Sequence, residues 1–176
     1  MYVGNKVRLR EYREDDVKKA WEYINDSETK NLLTPGIPFP LTFNEEKKWF
    51  ESISSSKDTY NFAIETLSDS KYIGGCGINK IDWKNSVAIV GIFIGDKNYW
   101  GNGYGTDAMK TLINFIFNEM NINKIRLHVY SFNKRAIKSY EKCGFKQEGI
   151  LRQEIFKSGK YYDEIVMGIL KEEFFK

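Results

Sequence analysis

The sequence predicts an α/β domain of the α+β kind. Its sheet is mixed and mostly antiparallel, with about seven strands flanked by helices in the order βααβββαβαββ. Three observations lead there. The chain has 176 residues, 41% apolar and 29% charged, which is the length and composition of a single globular core. From Tyr60, three β-type runs, "YNFAIET", "KYIGGCGINKID" and "SVAIVGIFIG", are separated by turn signals at Ser68-Asp69-Ser70 and Lys84-Asn85, the pattern of an antiparallel meander. Beyond them, Met109, Leu112, Ile113, Ile116, Phe117 and Met120 recur with helical spacing and make a core-facing stripe.

The other elements follow in chain order. Residues 6 to 10, "KVRLR", alternate as a first strand. "REDDVKKAWEYIND" reads as a helix whose first-turn acids complement the positive end of the helix dipole. In "NLLTPGIPFPLTFNEEKKWFES", Pro35, Pro38 and Pro40 exclude helix until Thr42. Thr42 and Glu45 then have capping-box spacing, which predicts a helix over about 43 to 55. The third β run is apolar on both faces and belongs in the centre of the sheet. "NKIRLHVY" is a further strand, and "NKRAIKSYEKCGF" a helix that Asn133 caps and Gly144 ends. "KQEGILRQEIFK" and "KYYDEIVMGIL" flank Ser158-Gly159 as a closing hairpin. There is no repeat or linker, so residues 1–176 form one domain.

Charge and composition exclude several function classes. A net charge of +3 with interspersed acids gives no basic stripe for nucleic acid. "MYVGNKVRLREY" lacks an apolar signal core and no run is long enough to span a bilayer, so a cytoplasmic protein without membrane contact is expected. Cys76 and Cys143 lack metal-ligand spacing and read as reduced core thiols; the single histidine, His128, supplies no zinc site, and no metal is expected.

Residues 98 to 120, "NYWGNGYGTDAMKTLINFIFNEM", place glycines at every second position where a strand turns into a helix. Such glycines let backbone N–H groups turn outward beside the positive helix end, a pocket for phosphate. The Walker loop is excluded because no lysine stands where it is required, and the Rossmann spacing and its downstream acid are missing. Taken alone, the loop is either a tight connection or a phosphate site. Asn133 and Tyr140 favour the second. They lie seven residues apart, close to two helical turns, so both project on one face about 10 Å apart. The amide suits a peptide-like ligand chain and the phenol can give a proton to a leaving group.

"YWGNGYGTDA" followed by "NKRAIKSYEKCGF" resembles the acyl-coenzyme A site of the GNAT superfamily of N-acetyltransferases, with the loop pattern Q/R-x-x-G-x-G/A. "IDWKN", "YEKCGF" and "SGKYYDEIVMGIL" extend the resemblance over the whole chain, toward the branch of ribosomal-protein N-terminal and bacterial spermidine acetyltransferases. The resemblance implies a GNAT-like fold and acetyl-CoA as co-substrate. Backbone N–H groups of Trp100, Gly101, Asn102, Gly103, Tyr104, Gly105 and Thr106 would hold the pyrophosphate, with Trp100 at the Q/R position. Ile92 and Ile94 would pair their main chain with the pantetheine arm, Asn133 would hydrogen-bond that arm, and Tyr140 would protonate the departing thiolate.

A phenol near its usual pKa of about 10 is a plausible acid toward a thiolate of about 8.5. The base is another matter. Relatives often carry glutamate where this chain has Ile89, so water, Glu65, Asp82 or an already neutral amine must serve. His128 lies opposite the apolar stripe of its strand and is weighed as a catalytic candidate; Cys143 reads as a packed helix-end residue. The resemblance implies that residues near 30 to 42 and Tyr161-Tyr162 shape the acceptor site. "LLTPGIPFPL" is rigid and apolar, which favours a peptide N-terminus or a small amine with an apolar body, although Glu28, Glu45, Glu46 and Asp163 are acids within reach of that region. The leading expectation is direct acetyl transfer to a primary amine through a ternary complex. A polyamine or amino-sugar acetyltransferase is the alternative, and a noncatalytic acyl-CoA sensor is the reading that Ile89 motivates. The aromatic tail Phe174-Phe175 either covers the core or pairs with another copy as a homodimer.

Overall fold

The computed structural model describes residues 1–55 and 57–176. Two short strands, β1 (Tyr2–Val3) and β2 (Val7–Arg10), precede three helices, α1 (Glu14–Asn25), α2 (Ser27–Leu33) and α3 (Phe43–Ile53). The meander follows as β3 (Tyr60–Thr66), β4 (Tyr72–Asp82) and β5 (Val87–Ile94), and then α4 (Tyr104–Glu119), β6 (Lys124–Tyr130) and α5 (Lys134–Lys142). The chain closes with β7 (Lys146–Lys157), β8 (Lys160–Leu170) and the short α6 (Lys171–Phe174).

The described strands form one eight-stranded sheet in the order β1-β2-β3-β4-β5-β6-β8-β7. Every neighbouring pair is antiparallel except β5–β6, which is parallel. The mixed α+β architecture and the central place of β5 match the sequence reading, with β1 as the additional strand. One helix corrects it. Residues 31 to 33 were expected to be non-helical, yet α2 runs through Leu33, because Asp26 caps it by accepting from Thr29 N at 2.9 Å and the prolines begin only at Pro35. It stops just before Thr34, whose position ahead of a proline disfavours helical geometry.

Packing divides the sheet into two faces. On one, Met109, Leu112, Ile113, Ile116 and Phe117 of α4 are fully buried with Val7, Leu9, Ile64 and Ile78. On the other, Ala20 and Tyr23 of α1 meet Ala63 and Tyr72. Phe174 and Phe175 lie against Phe117 at 5.8 and 6.3 Å, so the tail covers the α4 face of its own chain. A buried ionic knot ties β2 to α1 and β3: Arg10 grips Asp16 through two hydrogen bonds of 2.7 and 2.9 Å and also pairs with Glu65. No helix among the described residues is long and apolar enough to cross a membrane.

Candidate active site

The parallel pair β5–β6 matches Val87–Ile89 with Lys124–Arg126, and beyond these residues the two strands part. The gap opens into a cavity of about 800 Å³, a size typical of small-molecule sites. The glycine loop, α5, β4, β5, β6, β8 and the α1–α3 region all contribute to its lining.

The glycine loop closes one end of the cavity. Gly101 (φ +75°) and Gly103 (φ +84°) take left-handed conformations that side chains rarely tolerate, which accounts for two of its three glycines. Gly103 is the N-cap of α4 and offers no capping side chain. Asp107 N is the first to return, to Gly103 O at 3.0 Å, leaving the N–H groups of Tyr104, Gly105 and Thr106 without helical acceptors. These donors at the positive helix end suit a pyrophosphate. Asn102 turns its amide back to Asn98 O at 3.2 Å and holds the loop's shape with its side chain.

Trp100, at the position where a polar or basic side chain was expected, donates its indole N–H to Ile94 O at 2.6 Å. Arg135, from the first turn of α5, lies 3.5 Å over the Trp100 ring. Lys97 Nζ lies 5.8 Å from the same ring, so two cations meet the indole, one from near the loop and one from α5. The same indole occupies the Ile94 carbonyl, so the free main chain of β5 facing the gap lies mostly around Gly91 to Phe93, with Ile92 and Ile94 both lining the cavity.

Asn133 Oδ1 accepts from Ala136 N at 3.2 Å, so it does cap α5, while its amide N–H groups remain for a ligand. Tyr140 lines the cavity from the same helix, 8% exposed and edge-on to Phe145 at 5.9 Å. Burial pushes its phenol well above the ordinary value. The group stays protonated across the physiological range and is a weaker acid than a free phenol. Thr106 and Ser139 share a 2.8 Å hydroxyl contact that locks α4 to α5. Burial likewise pushes the Cys143 thiol up to about 12, consistent with a packing residue.

The other end of the cavity is built on a glycine-cleared patch of sheet. Gly77 pairs with Asn61 on one side and Gly91 on the other, and Gly75 leaves room for the Tyr12 hydroxyl, which a Cβ would strike. A bulge between Ile78 and Lys80 leaves Asn79 as the extra residue of β4 and turns its amide over Gly91. Glu46 of α3 is 4% exposed, lines the cavity and has no hydrogen-bond or ion-pair partner among the described residues. Burial raises its carboxyl above the ordinary range. On the opposite wall, His128 Nδ1 lies 3.1 Å from Glu164 Oε2.

Several expectations are corrected here. Neither Glu65 nor Asp82 lines the cavity. Burial alone would raise the Glu65 carboxyl, but hydrogen bonds and charge from Arg10 and Arg8 outweigh it and hold the group low. Asp82 is spent on the β4–β5 turn, where hydrogen bonds from Asn85 lower its carboxyl. Tyr161 is 65% exposed, and Tyr162 packs on Phe132 at 4.8 Å; neither lines the cavity, and Glu164 does so from β8 instead. Leu32, Leu33 and Pro35 line it as expected. Of the four acids within reach, Glu28 pairs with Lys97, Glu45 caps α3, Asp163 accepts from Gln153 N, and only Glu46 faces the site.

Residues 6–146 match the model of the acetyltransferase (GNAT) domain. The chain is 31% identical over 175 residues to the SPbeta prophage-derived uncharacterized N-acetyltransferase YokL of Bacillus subtilis, covering 98% of this chain and 94% of that protein. It is 28% identical over 173 residues to a spermidine N(1)-acetyltransferase of Vibrio cholerae, covering 98% and 97%. A crystal structure of a spermidine N-acetyltransferase from Vibrio cholerae in complex with CoA and spermine superposes with a TM-score of 0.87 at 25% identity, over 97% of this chain and 98% of that one. With the parted strands, the outward N–H groups of the loop and a family model that spans most of the sequence, the chain belongs to the GNAT acetyltransferases, enzymes that take their acetyl group from acetyl-CoA.

Proposed function

We propose that this enzyme acetylates a primary amine of a small polycation of the spermidine type, with Tyr140 as the acid that protonates the coenzyme A thiolate. Glu46 carries the reading of the acceptor. A buried carboxylate without a partner is costly, and an ammonium group is the ligand that relieves that cost. The relatives named as spermidine acetyltransferases support the same class. This reverses the preference that the apolar "LLTPGIPFPL" segment suggests, because its leucines and proline form only one wall of a cavity that also holds two acids, Glu46 and Glu164.

A second acceptor, a peptide N-terminus, retains one supporting observation: the apolar wall of Leu32, Leu33 and Pro35 can take a first side chain. On the donor side, Trp100 to Thr106 hold the pyrophosphate through main-chain N–H groups, and Asn133 hydrogen-bonds the pantetheine arm. All lie within one continuous chain fold, which we take to act as one domain over residues 1–176.

The test combines calorimetric titration of acetyl-CoA with thiol-release assays on polyamines, amino sugars and peptides. Turnover on polyamines at least about tenfold faster than on peptides is expected. Tyr140→Phe should keep acetyl-CoA affinity and lose roughly 10²-fold or more in kcat. Peptide preference would overturn the acceptor class, and full activity of Tyr140→Phe would remove Tyr140 as the acid.

A further inference from the structure

The protonated amine must lose a proton before it attacks, and Ile89 cannot take it. We propose that His128, held by Glu164, is the proton acceptor of this transferase. The proposal rests on the transferase reading above and adds a residue to it.

The placement carries the argument. Ile89 is the last residue of β5 paired to β6, opposite Arg126. His128 stands two residues further along β6, so it shares that face and borders the gap where the strands have just parted. The proton-accepting group has thus moved one strand across, from the Ile89 position to its neighbour. Across the other edge, β8 pairs Val166 with His128 and Glu164 with Tyr130, which sets the Glu164 carboxylate diagonally beside the imidazole. Their contact is 3.1 Å, and both side chains line the cavity, the histidine 36% and the glutamate 16% exposed.

A carboxylate can only accept, so this contact puts the imidazole proton on Nδ1 and leaves the Nε2 lone pair free. Glu164 is a positioning residue: it fixes the tautomer and stabilises the imidazolium. The charged and titratable groups along the same face are Glu164 and Tyr162 from β8 and Lys124, Arg126 and Tyr130 from β6 itself, with Lys124 paired to Glu148. β5 contributes only Ile89, Gly91 and Phe93 there, and Glu46 stands on the far wall.

The step balances. His128 Nε2 takes one proton from the ammonium group, and the freed nitrogen lone pair forms the C–N bond as the thioester carbonyl becomes an oxyanion. Collapse breaks the C–S bond, Tyr140 protonates the sulfur, and the second nitrogen proton restores the phenol. The imidazolium releases its proton to solvent.

Because the chain has a single histidine, nitrogen NMR of the imidazole reads this group without overlap. In its neutral form the wild-type imidazole should carry its proton on Nδ1 and leave Nε2 bare, and Glu164→Gln should erode that preference. In kinetics, His128→Gln should lower kcat/KM for spermidine by roughly 10²-fold at neutral pH, with acetyl-CoA affinity unchanged and a deficit that shrinks toward the amine's own pKa. Glu164→Gln should show a smaller loss with the same pH dependence. A neutral wild-type imidazole with its proton on Nε2, activity of His128→Gln within about twofold of wild type, or a deficit equal at every pH would overturn the proposal. If the wild type binds acetyl-CoA but acetylates no amine, the acceptor reading fails instead, and the imidazole spectrum alone decides whether the proton acceptor is built as described.

Discussion

The two ends of the cavity are made of different materials. The donor end is mostly main chain: a loop of seven residues, two left-handed glycines and the open N-terminus of α4, all contiguous in sequence. The proposed acceptor end is side chains, contributed by α2, α3, β4, β6 and β8 from positions between Leu32 and Glu164. Main-chain recognition survives changes in side-chain identity as long as the backbone can adopt its shape, whereas a side-chain site changes its ligand with one substitution. A fixed co-substrate and a variable acceptor suit that division.

Breaking the donor end should have the largest effect. Gly103→Val forces a β-branched side chain into φ +84°, a strain of order 1–3 kcal/mol, which either unwinds the N-cap or weakens the loop. Acetyl-CoA affinity should fall by roughly tenfold or more, with loss of turnover on every amine alike. Calorimetry on the purified variant reads this directly, and an unchanged affinity would show that the loop's shape does not depend on this glycine.

Glu46→Gln should sharpen the comparison by touching one end only. The loss of a charged partner for the ammonium group, worth about 1.5–3 kcal/mol, should raise the polyamine KM by roughly 10- to 100-fold while acetyl-CoA affinity stays as it was. The same variant carries a pH signature. Burial raises the native carboxyl above its unfolded value, so the native state holds this proton more tightly and loses stability as pH climbs through the interval between the two values. Glutamine removes that loss. The melting temperature of Glu46→Gln relative to wild type should therefore rise as the pH is brought from acid to neutral; a difference that is flat with pH would mean the carboxyl is not desolvated.

The smallest effect belongs to Arg135→Ala. It removes a stacked, largely exposed cation beside the loop, which should weaken acetyl-CoA binding by about 0.5–1 kcal/mol, a few-fold, and more at low salt than at high. Equal losses at both salt concentrations would assign the effect to packing on Trp100 instead of charge.

Legibility in the sequence follows the same divide. The α4 stripe, the meander, the Thr42–Glu45 cap and the Ser158-Gly159 turn are local patterns, and the structure contains each of them. The glycine loop was legible for the same reason. Glu46 and Glu164 were not, because nothing within a few residues distinguishes them from Glu45, which caps its helix, or Glu65, which is saturated by three arginines. Only the packing of distant elements decides which acid keeps a partner. Arg135 was hidden likewise: its neighbour Trp100 is 35 positions away in a loop whose side chain appeared to be the wrong kind. The α2 helix was missed by letting prolines at 35 to 40 govern residues that precede them.

Asp107, one turn into α4, accepts hydrogen bonds from the backbone N–H groups of Asn5, Lys6 and Val7 at 3.0, 2.7 and 3.0 Å, across sequence separations of 102, 101 and 100 residues. Gly4 makes the approach possible, since a Cβ there would sit 2.5 Å from the same carboxylate. The helix that follows the glycine loop is thereby moored to the first strands of the sheet. Closing so long a loop carries an entropic cost that local structure cannot lower, and the mooring adds to the contact order of the fold. If the loop holds the pyrophosphate as proposed, coenzyme A binding reports on the whole chain, because the loop's helix is fixed to a segment a hundred residues away.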